Sequence, residues 1–401
     1  MSIVATEPVA KWSRRLTAAG VLCLLLTAGG CAVQSPFTIN GGLQYDESLR
    51  TGERLFGEPV PAHERTTDIL EPSQAMLDYV SHAVRRSAPA ARRFRELFDS
   101  LTDDGFFGSV YSADRTLTAA ETFEARSGNC LAYTNMFVAL ARAAGLDARF
   151  QIVDTPPAWD ADAGFLIRYT HINVLLKDVR LKHASDYEVI VDFNVVRGDP
   201  EYQRREVSDA YAESLFYANR SATLMRQGRF RESFANLRSA IDITPGNVDL
   251  WNNLGAFYAT QGDFDSSVEA HQVALQIDPR SESAFSGLAR SYASAGSTEM
   301  ANFYYEKVRN NRVRNPYYYF AMAQVAYKSA DFEISLEHIN TAIDLSRRVG
   351  SFHFLKGLLE YQLGDAEAAR ASLERAGRYG LDRSAKLDLL RSLGEAKVNP
   401  S

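Results

Sequence analysis

The sequence predicts two folded units in one chain: an α+β domain over residues 68–200, then an all-α solenoid of stacked helix pairs over residues 214–383. Three observations carry the prediction. Apolar residues recur at helical spacing from Ile69 to Gly145 and give way to short β-branched runs between Arg149 and Phe193, the element order of an α+β layer pair. From Ser214 onward, three residue classes return every 34 positions, the signature of a helix-pair array. Ahead of both units, Cys31 to Glu64 is rich in Gly, Pro, Ser and Thr without a sustained period.

The N-terminus reads as an export signal over residues 1–30. Lys11, Arg14 and Arg15 precede the apolar run Val21–Leu26, which ends in Ala28, Gly29 and Gly30. That run is shorter than the roughly 20 residues a membrane-spanning helix needs, so cleavage is expected rather than a retained anchor. Leu26-Thr27-Ala28-Gly29-Gly30-Cys31 resembles a bacterial lipobox, with Ala28 where lipoboxes usually carry Leu. The resemblance implies acylation of Cys31; ordinary signal-peptidase cutting near Ala32 is the competing reading. Ala32 and Val33 follow with no Asp beside the cysteine, which favours an outer-membrane lipoprotein facing the periplasm. Residues 31–67 are then a lipidated tether, and the lipid is the membrane contact.

Only Cys23, Cys31 and Cys130 occur in the chain. With Cys23 in the signal and Cys31 lipidated, Cys130 is the one free thiol in a compartment that oxidises thiols, a liability unless it is buried or used. The formal charge of -6, with both signs interspersed, provides no field for a polyanion, so no nucleic-acid partner is expected.

Within residues 68–200, Met76, Leu77, Tyr79, Val80, Phe94, Leu97, Phe98 and Leu101 predict two helices separated at Pro89. Thr118–Gly145 is again helical, broken by Gly128 and ended by Gly145, so Cys130 opens a helix. Arg149–Val153, His171–Leu176 and Glu188–Phe193 predict neighbouring strands.

In the repeat region Gly228, Gly262, Gly296, Ala330 and Gly364 stand 34 apart at turn positions. Ala240, Ala274, Val308, Ala342 and Ala376 keep the same interval, as do Tyr217, Trp251, Phe285, Tyr319 and His353. The pattern resembles the tetratricopeptide (TPR) repeat, best matched by Trp251, Leu254, Gly255, Tyr258, Ala274 and Pro279. Five units fit without insertion. Residues 384–401 form the expected capping helix and tail, with Leu387, Leu390 and Leu393 covering the last repeat. The resemblance implies a concave groove for a protein partner, with Asn252, Asn253, Tyr317 and Tyr318 as candidate contacts. Because the two units read as separate, a chain cut after Pro200 is expected to keep a reactive thiol.

A helix N-terminus stabilises a thiolate, the form that attacks carbonyl carbon. Around Cys130, Arg126-Ser127-Gly128-Asn129-Cys130-Leu131-Ala132-Tyr133, followed by Gly145-Leu146-Asp147-Ala148-Arg149, resembles the transglutaminase-like superfamily. This implies a papain-like fold in which Gly-x-Cys opens a buried helix, with a His starting the next strand and an Asp on the strand after it. His171 and Asp192 stand in those places. The implied catalytic roles are Cys130 as nucleophile, His171 as base and Asp192 as the group that orients the imidazole. The Cys130 amide would stabilise an oxyanion, and Asn129 and Tyr133 flank it as pocket or capping residues. Ile172-Asn173 and Phe193-Asn194 stand where the family usually carries an aromatic and Pro-Thr. His183, near Asp186, is the competing base, and Thr155–Gly164 is a candidate cover for the cleft. No metal-ligand, phosphate-loop or dinucleotide signature occurs, so no cofactor or metal is expected. The expected function is an envelope cysteine enzyme, peptidase or acyltransferase, attacking amide bonds of a protein or peptide that the repeats help recruit. The alternative is a noncatalytic TPR scaffold with a degenerate transglutaminase-like domain.

Overall fold

The computed structural model describes residues 2–4, 37–40, 42–63, 68–107, 112, 114–153, 158–160, 165–167, 171–179, 188–193, 204–381, 386 and 390. Cys31, His183, Asp186, Leu387, Leu393 and most of the predicted signal lie outside these residues.

Strand β1 (Ser2–Val4) pairs with the sheet described below, and β2 (Phe37–Asn40) forms a hairpin with β3 (Leu43–Asp46). Two short helices follow, α1 (Glu47–Thr51) and α2 (Glu53–Phe56). Residues 42–63 were expected to belong to a tether. That segment was expected to hold short structured pieces, and these form a strap folded onto the first two repeats. Tyr45 is buried with its ring centroid 4.8 Å from that of Trp251, and the Tyr258 hydroxyl donates to the Leu49 carbonyl at 2.6 Å. Gly52, at φ +75, presses so closely on Phe234 that an added Cβ would lie 2.6 Å from the ring. Arg54 pairs with Asp46 at 2.9 Å and Glu269 at 2.5 Å.

In the α+β domain, α3 (Gln74–Ala83) is capped by Ser73 and α4 (Ala90–Asp103) starts after Pro89, the predicted break. A Thr118–Glu121 capping box starts α5 (Ala119–Ala125), and α6 (Cys130–Ala143) is buried continuously from Leu131 to Ala141. A helix apolar all round belongs inside a core, and α6 lies there. The strands that follow are β4 (Asp147–Val153), β5 (Ala158–Asp160), β6 (Phe165–Ile167), β7 (His171–Lys177), β8 (Val189–Asp192) and β9 (Arg204–Val207). The main sheet has the order β1-β8-β7-β4-β9 and is antiparallel throughout. Alternation sorts its two faces. Phe150, Ile152, Ile172, Val174, Leu176 and Val191 join α6 in the core. Gln151, His171 and Asn173 project from the opposite face. Strand β9 lies beyond the expected boundary at residue 200, so the domain reaches Val207.

The repeats pair α7 (Asp209–Arg226) with α8 (Phe230–Ile243), α9 (Val248–Thr260) with α10 (Phe264–Ile277), and α11 (Glu282–Ser294) with α12 (Thr298–Arg312). The last two units are α13 (Pro316–Lys328) with α14 (Phe332–Leu345), and α15 (Gly350–Gln362) with α16 (Ala366–Arg378). The predicted small residues fill the seams, with Ala240, Ala274, Ala342 and Ala376 fully buried. The β5–β6 hairpin, whose first strand belongs to the segment expected over the cleft, lies against α11 and α13.

Gly228, Gly262, Gly296 and Gly364 turn each unit at φ between +75 and +88, a region L side chains rarely adopt. Ala330 takes the same turn at φ +62 and is exposed. Ala330→Gly is therefore expected to stabilise the array by about 0.5–1 kcal/mol, read as a raised melting temperature.

One continuous hydrophobic core runs from Leu43 through α6 and the sheet to Phe216, Tyr217, Trp251 and Ala284. Arg142 adds a bidentate pair to Asp209 at 2.6 and 2.8 Å. The expected separability at Pro200 is thus corrected: a cut there removes the edge strand β9 and α7, whose Ala212, Phe216 and Tyr217 belong to the core shared with α6 and the sheet. A chain ending at Pro200 is expected to melt non-cooperatively or to aggregate, which circular dichroism checks. A second cluster joins Tyr327, Ile339, Phe352 and Leu355 of the last two units, with Leu381 and Leu390 packed on it.

Candidate functional site

Local sequence places Cys130 at a helix start. The Asn129 side chain accepts from the Ala132 amide at 3.0 Å and donates to Thr116 Oγ1 at 2.6 Å, while its backbone amide donates to the Arg115 carbonyl. Asn129 is therefore the N-cap. Gly128 has no room for a side chain, because an added Cβ would sit 2.7 Å from that of Ala132. The Tyr133 hydroxyl donates to the Arg126 carbonyl at 3.0 Å and its ring stacks on Phe193.

Cys130 is half-buried and free, and its thiol lies near enough to the His171 ring to act on its protonation. His171 is buried at the start of β7, with Nε2 lying 2.8 and 2.7 Å from the two carboxylate oxygens of Asp192. With Nε2 facing the carboxylate, Nδ1 is the nitrogen left for the thiol. Burial pushes the imidazole pKa down, but the hydrogen bonds and charges of Asp192 and Cys130 outweigh it and lift it to about 9. The ring is thus charged at neutral pH. Phe193, directly after Asp192, packs among Phe107, Tyr133 and Phe137 and anchors the end of β8.

All three residues expected from the sequence come together. The arrangement can pass the thiol proton to Nδ1, leaving a thiolate beside an imidazolium whose charge the carboxylate offsets. As the first helical residue, Cys130 also has an amide that the helical ladder does not use, a donor for a developing oxyanion.

Two neighbours escaped the sequence reading. Asn173, two residues beyond His171 and therefore on the same face, donates from Nδ2 to Asp192 Oδ2 at 3.3 Å. The residue that departs from the family pattern thus steadies the carboxylate. Arg204 lies on β9, past the expected domain boundary, yet in the same cross-strand row as His171, since Val153 pairs with both. The i, i+2 spacing was a usable signal for Asn173. Arg204 had none.

Among the candidate groove residues, Asn252 is buried. Its Oδ1 lies 3.2 Å from His271 Nδ1 and its Nδ2 donates to Ser281 Oγ at 3.4 Å, which corrects its assignment as a partner contact. Asn253 is exposed, and Tyr317 packs edge-on to Phe352.

Residues 78–188 match the family model of the transglutaminase-like superfamily, and residues 222–282 and 320–382 match a tetratricopeptide repeat. The chain therefore carries a transglutaminase-like core domain followed by TPR repeats. The first match ends before Asp192, whose place in the triad rests on the geometry above. A curated relative, the Hsp70-Hsp90 organizing protein of Triticum aestivum, is 31% identical over 80 residues, which cover 20% of this chain and 14% of that protein. The chain thus spans a small part of that relative. Similar solved structures include MamA from Desulfovibrio magneticus RS-1, at 17% identity and TM-score 0.24, covering 42% of this chain and 94% of that one. Pseudomonas aeruginosa pilF matches at 15% identity and TM-score 0.25, covering 47% and 87%.

Proposed function

We propose that the chain is an envelope-located cysteine enzyme, an outer-membrane lipoprotein facing the periplasm, that attacks amide bonds of a protein or peptide. The observation that carries the reading is the His171–Asp192 pair at 2.7–2.8 Å, placed beside Cys130 at the start of α6. Attack by the thiolate on an amide carbonyl forms a thioester and releases an amine that takes the proton from the imidazolium. Entry of water then completes hydrolysis; entry of an amine completes acyl transfer. Hydrolysis is preferred because water is always present, whereas no amine site is recognisable. The repeats recruit a protein partner, in keeping with the protein-interaction role of TPR arrays and with the co-chaperone relative.

The test compares the wild-type chain with Cys130→Ala on an envelope-protein extract containing dansylcadaverine. Cys130-dependent new N-termini mean hydrolysis, and Cys130-dependent dansyl adducts mean acyl transfer. Neither product from the wild type supports the noncatalytic scaffold. For the anchor, labelled fatty acid should enter the wild type and not Cys31→Ala, and the mature mass should begin at Cys31. Such processing would remove β1 and leave β8 as the sheet edge. A mature protein retaining Ser2–Val4 would contradict both signal cleavage and lipidation at Cys31.

A further inference from the structure

The polar face of the sheet carries three cations, and two of them are neutralised. Arg149 is paired with Asp147 at 2.9 Å and Glu206 at 2.6 Å, and Lys177 with Glu206 at 2.6 Å. Arg204 is different. It is half-buried and forms no ion pair or side-chain hydrogen bond among the described residues, and its Nε is buried without a partner. Burial disfavours the charged guanidinium and holds its pKa below the usual value, only partly offset by the charge of Asp192. That carboxylate is already bound to His171 and Asn173. Two buried acceptors on the same face, Gln151 Oε1 and Asn173 Oδ1, also lack partners.

An uncompensated, half-buried guanidinium is costly, and its planar fork of donors fits a carboxylate. The register fixes where such an anion would sit. Arg204 and His171 flank Val153 in one cross-strand row, so their Cα atoms are about 10 Å apart, two strand spacings. A bound carboxylate would therefore lie a few atoms from the carbon that Cys130 attacks. Gln151 and Asn173, one row along, would accept N–H groups of the same peptide.

We propose that Arg204 is a specificity residue that binds a carboxylate of the acyl substrate next to the Cys130–His171 pair, so that the preferred substrate is a peptide with an acidic group close to the attacked amide. The proposal rests on the reading of Cys130 as nucleophile. The carboxylate has two possible sources, a free C-terminus or an acidic side chain.

Two alkylating probes of nearly equal size test it at neutral pH: iodoacetate, which carries a carboxylate, and iodoacetamide, which does not. The readout is the ratio of their rates at Cys130, so the attraction of the imidazolium for iodoacetate is common to every Arg204 variant. Arg204→Gln is expected to lower the iodoacetate-to-iodoacetamide ratio about tenfold, as removal of one nearby charge should, and Arg204→Lys to keep it within about threefold of the wild type. An unchanged ratio overturns the proposal, including the case in which both rates fall together because Arg204 only supports the fold. So does a Lys variant no better than Gln. Loss of alkylation by both probes in the wild type would instead overturn the nucleophile reading. For the source, acetylalanine and the α-amide of acetylglutamic acid are compared as protectants against iodoacetamide. Protection that Arg204→Gln abolishes identifies the terminal or the side-chain carboxylate accordingly; protection by neither acid, or equal protection by acetylalanine amide, contradicts the proposal.

Discussion

Replacing Cys130 with alanine is expected to remove turnover entirely while the protein still folds, exports and melts as the wild type does. The cysteine is small and half-buried at the first helical position, and the Asn129 cap that holds this helix end does not depend on its sulfur. His171→Ala should be nearly as severe, on the order of 10³-fold or more, because the thiol then has no proton acceptor and the thiolate no counter-charge. Asp192→Asn should cost less, since it keeps a polar partner at Nε2 while losing the charge that holds the imidazole protonated. Asn173→Ala should cost least and should lower the pH at which His171 deprotonates, since a loosened Asp192 supports the imidazolium less. Measuring product formation across this series, with circular dichroism on each variant, checks the order. Full turnover by Cys130→Ala would end the reading of Cys130 as the nucleophile.

The second large effect lies in the repeats. His271 on α10 is buried between Gly255 and Gly287, where added Cβ atoms would lie 2.5 and 2.2 Å from its ring. Gly287→Ala is therefore expected to destabilise the array by about 3 kcal/mol, because the clash is with a ring hemmed in on both sides and held by Asn252. In a His271→Ala background the same substitution should be close to neutral, and a double-mutant cycle reads that coupling directly. Burial, with the nearby charge of Arg290, also lowers the His271 pKa to about 3. The unfolded chain binds this proton near pH 6.5 and the folded chain does not, so stability present above that pH is lost as pH falls towards 3. His171 acts in the opposite sense. Its folded pKa of about 9 gives stability that is complete below about pH 6.5 and fades as pH rises towards 9. Thermal melts across pH should peak between these limbs, and His271→Ala should flatten the acid limb alone.

Long periodic elements were legible in the sequence because their signal is local and repeated. The 34-residue interval, the break at Pro89 and the helix opened by Cys130 all reappear. Short elements whose partners are remote were not legible. Strand β3 reads as linker until Tyr45 meets Trp251 and the Gln44 amide meets the Gln276 side chain, 232 residues away. Strand β9 and Arg204 were missed for the same reason: their place is fixed by the register against β4, which no local pattern encodes. The triad was legible as an order of residues, but the carboxylate at Nε2 and the support from Asn173 are properties of three paired strands. Asn252 was misread because its partner, His271, sits on the other helix of its unit.

The central claim is that Cys130 and His171 form one proton-sharing pair, and the pH dependence of iodoacetamide alkylation at Cys130 tests it most directly. The account predicts a step in the alkylation rate near pH 9, as His171 gives up its proton, and the loss of that step in His171→Ala. Superimposable curves for the wild type and His171→Ala, or a wild-type thiol that reacts only after denaturation, would contradict it.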